Sequence, residues 1–264
     1  MPSIVLTRPI GQSHRLGELL KEHLPSLEQI QLPLLSIVPN EDQLEAGRLK
    51  TLLTTVDLAI FVSPNAIECG ARLWGAEWPK TIPIAVIGGG SADALERRGI
   101  TQEQNYQIYF PKDPEHWDSE GLWTELSKTI SDWTGKKILF LKGSGGREWL
   151  GEQFLNHGAE IYQVSTYRRV PLAVDAPVWQ SLEKLNPKEV ACLITSSEAL
   201  QHMVDVFRQQ SNWTKEWFNL ATMICSHERI AKTARDAGFK QVELCAAGDQ
   251  NLLTASQRWL EQIK

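Results

Sequence analysis

The sequence predicts an α/β protein of two doubly wound parallel-sheet domains, one inserted in the other. Three observations predict it. Short apolar runs, suited to strands buried on both faces, alternate with amphipathic helical stretches across polar turns rich in Gly, Ser and Thr. The same succession of elements returns along the chain at an offset of about 134 residues. The copies return in a different order, and that rearrangement points to an insertion.

Residues 4–6 form the first strand, Thr7-Arg8-Pro9 a polar turn, and 12–23 a helix with Leu16, Leu19 and Leu20 inward. Residues 27–32 are the next strand, and 33–37 leave in extended form. Two parallel strands require such a crossover helix. The stretch KILFLKGSGGREWLGEQFLNHGAEIYQVSTYRRVP, from Lys137, repeats the unit. It gives a strand at 138–141, a glycine-rich turn at 142–147, and a helix with Leu150, Phe154 and Leu155 on one side. Gly158 stops that helix, 161–164 is a strand, and the chain runs on extended through Ser165, Tyr167, Arg168 and Arg169. A second pair is LAIFVSPNA at 58–66 and ACLITSSEA at 191–199, each a strand ending in hydroxyl groups at a helix start. The third pair, 82–99 and 221–238, is strand, polar turn and helix, closed by Gly99 or Gly238. A strand at 241–246 and a helix at 252–263 complete the chain.

The unit that opens the chain thus matches the unit that closes its middle block. The simplest solution pairs residues 1–33 with 171–264 as one domain and makes 39–164 the inserted domain. Residues 1–33 are too few to bury a core alone. The extended segments 34–38 and 165–170 are then the covalent bridges, and side by side they form a two-stranded link.

A length of 264 residues suits two α/β domains, and the apolar share of 42% and charged share of 22% are ordinary for a globular chain. A net charge of -5 argues against a general nucleic-acid binder, which needs a basic face. Apolar runs fall short of the roughly 20 residues that span a bilayer. The start, MPSIVLTRP, enters a strand at once rather than reading as a leader, so a cytoplasmic location is expected. Cys69, Cys192, Cys225 and Cys245 form no C-x-x-C pair and read as reduced, buried thiols. The tryptophans at 74, 78, 117, 123, 133, 213 and 217 are expected to pack partly exposed.

In open parallel sheets, ligands bind beyond the carboxyl ends of the strands, beside helix N-termini. The residues falling there are Arg8, Ser63, Asn65, Gly88, Ser91, Lys142, Gly143, Arg147, Thr195, Ser196, Ser197, Ser226, His227 and Arg229. Hydroxyl, N–H and cationic groups dominate and carboxylates are scarce, which suits an anionic ligand. Singly, each has a plainer reading: glycines and serines shape turns and cap helices, and Arg8 pairs with a nearby acid. Gly88-x-Gly90-x-x-Asp93 is an incomplete dinucleotide fingerprint. His227 has no metal-ligating partner at suitable spacing.

The ordered set of Thr7-Arg8-Pro9, Phe61-Val62-Ser63-Pro64-Asn65-Ala66, Ile87-Gly88 with Ser91-Ala92, Lys142-Gly143 with Gly146-Arg147-Glu148, Tyr167-Arg168-Arg169 and Ser226-His227-Glu228-Arg229 resembles the uroporphyrinogen-III synthase family over essentially the whole chain. Ser91 stands where the family usually carries threonine. The resemblance implies two flavodoxin-like domains joined by a two-stranded β-ladder. It implies a carbon–oxygen lyase that cyclises linear hydroxymethylbilane, with loss of water and inversion of ring D, to uroporphyrinogen III. It implies no metal or organic cofactor, and the carboxylate-rimmed substrate accounts for the donor-rich turns. A monomer is expected, with no nucleic-acid or membrane partner and at most a passing contact with the preceding enzyme of the pathway. By the same resemblance Tyr167 is the catalytic acid for the departing hydroxyl. Tyrosine is protonated at neutral pH and able to donate. The bridging segments further predict domain mobility. The alternative is a two-lobed anion- or solute-binding clamp without catalysis, in which Tyr167 has no special task.

Overall fold

The computed structural model describes residues 1–75, 77–113, 116–145 and 148–263, without the side chains of 211 and 212. The chain divides into two compact units, Met1–Ser36 with Val170–Lys264, and Ile37–Arg169. The elements β1 (Ser3–Leu6), α1 (Ile10–His23) and β2 (Glu28–Gln31) open the first unit. Then come β3 (Leu35–Pro39), α2 (Gln43–Leu52), β4 (Leu58–Phe61), α3 (Pro64–Trp74), β5 (Ile84–Val86) and α4 (Gly89–Glu96). β6 (Ile108–Tyr109), α5 (Ser119–Thr129), β7 (Lys137–Gly143), α6 (Trp149–Asn156) and β8 (Glu160–Pro171) follow. The last segment holds α7 (Val178–Glu183), β9 (Val190–Ile194), α8 (Ser197–Gln209) and α9 (Ser211–Leu220). It ends with β10 (Thr222–Cys225), α10 (Glu228–Ala237), β11 (Gln241–Leu244) and α11 (Asp249–Gln262).

In the first unit a five-stranded sheet runs β11-β10-β9-β1-β2, every neighbouring pair parallel. In the second the order is β3-β8-β7-β4-β5-β6. Its β8-β7-β4-β5-β6 portion is parallel throughout. Counting from β7, it repeats the order of the first unit, so the second sheet is a circular permutation of the first. β3 lies against β8 at the sheet edge. The Leu172 N–H donates to Leu34 O and the Asn40 N–H to Thr166 O, both at 2.9 Å, so partners advance in opposite directions and the ladder is antiparallel.

Each sheet is covered on both faces. In the first unit one face packs Leu200, Met203, Phe207 and Ile230, and the other Leu16, Leu20, Leu252 and Trp259. In the second, Ala66, Ile67, Leu73 and Leu95 cover one face, and Leu122, Leu126, Leu150 and Phe154 the other. Central strands β4 and β9 are buried at every position, which is why they read as unbroken apolar runs. The edge strands β2 and β11 are exposed at both ends, and their sequences are correspondingly polar.

Two expectations are corrected. Leu155 is 56% exposed, because the short helix α6 turns only Leu150 and Phe154 inward. Trp74, Trp78, Trp133 and Trp217 are buried rather than partly exposed. Phe61, Trp74 and Trp78 meet edge to face at 5.2–5.6 Å, and Phe207 makes the same contact with Trp217 at 5.5 Å. Such pairs gain from both area and quadrupole geometry, so these indoles are drawn inward.

Candidate active site

In the first unit, the neighbouring strands β1, β9 and β10 bring three turns to one sheet edge. The helix after β1 packs on one face of the sheet and the helix after β9 on the other, so the crossovers reverse between these strands. A crevice at such a reversal is where doubly wound sheets take ligands. Arg8 stands there. Its Nε donates to Thr195 Oγ1 at 3.2 Å, and its Nη1 pairs with Asp249 Oδ1 at 2.5 Å. About four-fifths of each of these two side chains is buried. Thr7 Oγ1 donates to Leu193 O at 2.6 Å and fixes the first turn.

Ser196 caps α8 by accepting the Ala199 N–H, while Ser197 Oγ is buried with no hydrogen-bond partner among the described residues. Ser226 is buried just beyond β10. His227 caps α10, its Nδ1 accepting the Arg229 N–H at 3.1 Å. With Nδ1 accepting there, Nε2 is the ring's remaining hydrogen-bonding atom. The side chains of His227 and Arg229 are exposed.

The second unit repeats the arrangement with β7 and β4. α6 and α3, which follow these strands, lie on opposite faces. Ser63 caps α3, its Oγ accepting the Ala66 N–H at 3.2 Å, and Pro64 begins the helix. Ser63 Oγ also lies 3.1 Å from the hydroxyl of Tyr167. A serine oxygen that accepts from the backbone still has its own proton to give. Either hydroxyl can donate in this contact, and when Tyr167 donates the serine proton is available for another acceptor.

Tyr167 reaches Ser63 because β8 is irregular. Lys142 pairs with Ser165, but Gly143 pairs with Tyr167, which skips Thr166. Regular alternation from the buried Val164 would turn Tyr167 outward. The bulge shifts the phase, so that Thr166 and Tyr167 are both buried and Arg168 is exposed. Thr166 Oγ1 donates to Lys142 O at 3.2 Å within the bulge. Tyr167 is 4% exposed and packs in the core with Leu139, Leu141 and Val164. A Cβ on Gly143 would come within 2.6 Å of the tyrosine ring, so the ring lies against bare backbone.

Gly88 precedes α4, Ser91 is buried in its first turn, and Asn65 is partly buried in the first turn of α3. Lys142 is 8% exposed, and no carboxylate lies at salt-bridge distance among the described residues. Arg147 lies outside the described residues. Among the described residues, no group of three or more His, Cys, Asp or Glu is placed to hold a metal ion. Burial raises the Cys192 thiol and pushes that of Cys225 up to about 12, so neither is a nucleophile near neutral pH.

The family profile described as uroporphyrinogen-III synthase HemD matches residues 16–248. The chain belongs to the uroporphyrinogen-III synthase family. Uroporphyrinogen-III synthase of Salmonella typhimurium is 30% identical over 259 residues, covering 95% of this chain and 98% of its own. That of Escherichia coli is 28% identical over 261 residues, with the same coverage. Among solved structures, a mutant uroporphyrinogen III synthase from Thermus thermophilus superposes with a TM-score of 0.63 at 13% identity, covering 99% of this chain and 100% of that one. The Helicobacter pylori uroporphyrinogen-III synthetase gives 0.62 at 15% identity, covering 98% and 99%. The structures establish the fold, and the family membership makes the chain an enzyme of tetrapyrrole biosynthesis. Nothing in these matches favours the solute-binding clamp.

Two residues near the family's candidate positions were not legible in the sequence. Asp249 opens α11, far along the chain from the Arg8 it neutralises. Trp117 precedes α5, with its indole against the Gly88-Gly89 turn. Neither has a local signal, because both contacts depend on which turns the sheet order brings together. No helix among the described residues is long and apolar enough to cross a membrane.

Proposed function

We propose that the hydroxyl pair Ser63–Tyr167 delivers the proton that starts cyclisation of hydroxymethylbilane to uroporphyrinogen III. The observation that carries this reading is the 3.1 Å contact between the two hydroxyls, one at a helix start and one placed by the bulge. Tyr167 is almost wholly buried and Ser63 only partly, so the serine is the member of the pair that meets the substrate. Ser63 gives its proton to the hydroxyl leaving ring A while Tyr167 gives its own to Ser63. The carbon–oxygen bond breaks, water departs, and an azafulvenium cation remains.

That cation cyclises unaided to the type I isomer, so the enzyme's main task is to hold ring D. The substituted α-carbon of ring D attacks first and forms a spiro intermediate. The bond joining ring D to ring C then breaks, and the chain recloses at the other α-carbon of ring D. The proton released as the pyrrole regains its aromaticity returns to Tyr167, so the net change is the loss of one water. Positioning of this kind contributes several kcal/mol.

The acetate and propionate groups of the substrate are taken by the donors at the carboxyl ends of each sheet. In the first unit these are Arg8, Thr195, Ser196, Ser197, Ser226, His227 and Arg229. In the second they are Asn65, Gly88, Ser91, Lys142, Gly143 and Arg147. Neutral N–H and hydroxyl groups bind carboxylates and release them again more readily than a cluster of guanidinium groups would. The enzyme works as a cytoplasmic monomer, with at most a passing contact with the enzyme that supplies its substrate.

The test compares Tyr167→Phe, Ser63→Ala and the double variant on freshly prepared hydroxymethylbilane, resolving type I from type III product. Each single change should slow type III formation by about 10²-fold or more, and the double should be no worse than either. Near-normal type III formation by Tyr167→Phe removes the tyrosine from the proton path. The same result for Ser63→Ala leaves Tyr167 acting alone.

A further inference from the structure

Six of the ten tryptophans are buried and three partly so; Trp117, at 46% exposure, is the one indole open to solvent. It is not loosely held. Its Nε1 donates to Pro111 O at 3.2 Å, and Asp118 beside it caps α5 by accepting the Gly121 N–H at 2.7 Å. The ring lies across the glycine turn that opens α4. A Cβ on Gly89 would meet the six-membered ring of the indole, with Cζ3 at 2.6 Å and Cζ2 at 2.8 Å. A Cβ on Gly88 would sit 2.9 Å from Trp117 Cβ. The turn is glycine at 88 and 89 because an indole rests on it. The partial dinucleotide fingerprint has the same cause: its first glycines leave room for an indole edge.

An indole with its edge against glycine and nearly half of the residue exposed offers a flat, rigid, apolar surface beside the first N–H groups of α4. We propose that Trp117 is a positioning residue on which one pyrrole ring of the tetrapyrrole stacks, while that ring's carboxylate meets the start of α4. The inference rests on the proposed function and adds a residue to it. Pyrrole is flat and electron-rich, and offset stacking on indole fixes the plane of the ring without fixing any charge. An enzyme that must present one particular carbon of a flexible linear substrate gains from such a constraint. Trp117 has no proton to exchange in the reaction, so its removal should weaken binding and blur isomer choice while leaving the pH profile alone.

The experiment uses the full chain with four variants: Trp117→Phe, Trp117→Ala, Gly89→Ala, and Trp117→Ala combined with Gly89→Ala. Melting curves check that each is folded. Wild-type protein must first convert hydroxymethylbilane to the type III isomer; failure there overturns the proposed function rather than the role of Trp117. Trp117→Ala should then raise KM roughly tenfold and increase the type I share, with kcat at saturation and the pH profile little changed. Trp117→Phe should stay within about threefold of wild type, since a ring remains. Gly89→Ala keeps the indole but pushes it off the turn, and should resemble Trp117→Ala. Adding it to Trp117→Ala should cost nothing more. An active, folded Trp117→Ala enzyme with unchanged KM and isomer ratio overturns the inference. So does a Gly89→Ala effect that persists undiminished without the indole, which would assign the glycine to direct contact with substrate.

Discussion

Substituting Gly143 by alanine tests the placement of Tyr167 without touching its chemistry. Gly143 is not among the glycines with positive φ, so alanine is acceptable to the backbone. The obstacle is the tyrosine. The added Cβ would lie 2.6 Å from both Cε2 and Cζ and 3.1 Å from the hydroxyl oxygen. Carbon pairs settle at about 3.5–4.0 Å, so the ring or the strand must move by about 1 Å. Tyr167 is surrounded by core, which makes the shift an overpacking cost of about 1–3 kcal/mol. The bond to Ser63 is already 3.1 Å, and a movement of that size breaks it, adding about 1 kcal/mol.

The expected total is about 2–4 kcal/mol, or roughly 4–15 °C in melting temperature. Type III turnover should fall at least tenfold at temperatures where the variant is folded. Gly151→Ala is the matched control. It lies in the same unit, in α6, with nothing within 4 Å of the added carbon, and should be neutral or stabilising. Thermal denaturation and an isomer-resolved activity assay read both effects. A Gly143→Ala protein with wild-type melting and turnover refutes the tyrosine–glycine packing and the proton path built on it.

Two other outcomes follow from the first unit. Asp249→Asn leaves the Arg8 guanidinium largely buried without its counter-charge, and should lower stability by about 1–2 kcal/mol. It should also lower KM, because the carboxylate that competes with substrate for Arg8 is gone, whereas Arg8→Ala should raise it; a raised KM in Asp249→Asn refutes the competition. The thiols offer a check on the core. Desolvation keeps Cys192 and Cys225 protonated, so iodoacetamide at pH 8 should label them only after unfolding in urea, as read by peptide mass mapping. Rapid native labelling of Cys225 would contradict its place behind α10.

Much of the fold was legible because it rests on repetition. The strand, polar turn and helix of β1-α1-β2 recur as β7-α6-β8, and those of β9-α8 as β4-α3. The apolar runs of the central strands are unbroken because both sheet faces are covered, so neighbouring residues read alike. Edges were less legible. β6 is two residues long, and its pairing to β5 is set by the partner rather than by its own pattern. The tryptophans misled for a related reason. On one helix an indole beside charged residues looks half-exposed, and only the neighbouring element reveals the edge-to-face partner that buries it.

The site divides along the same line. Caps such as Ser63 and Ser196 are local, since the side chain and the N–H it satisfies are three residues apart, and the sequence shows both. The orientation of Tyr167 is not local. Val164, Thr166 and Arg168 share a face in any regular strand, so alternation predicts an outward tyrosine and an inward arginine. One skipped residue opposite Gly143 reverses both. The bulge buries a threonine whose hydroxyl can return to the backbone through Lys142 O, and leaves the arginine in water. The glycine then makes room for the ring that the bulge has turned inward. Gly143, Thr166 and Tyr167 are therefore one device, and none of the three is interpretable without the register of β7 against β8.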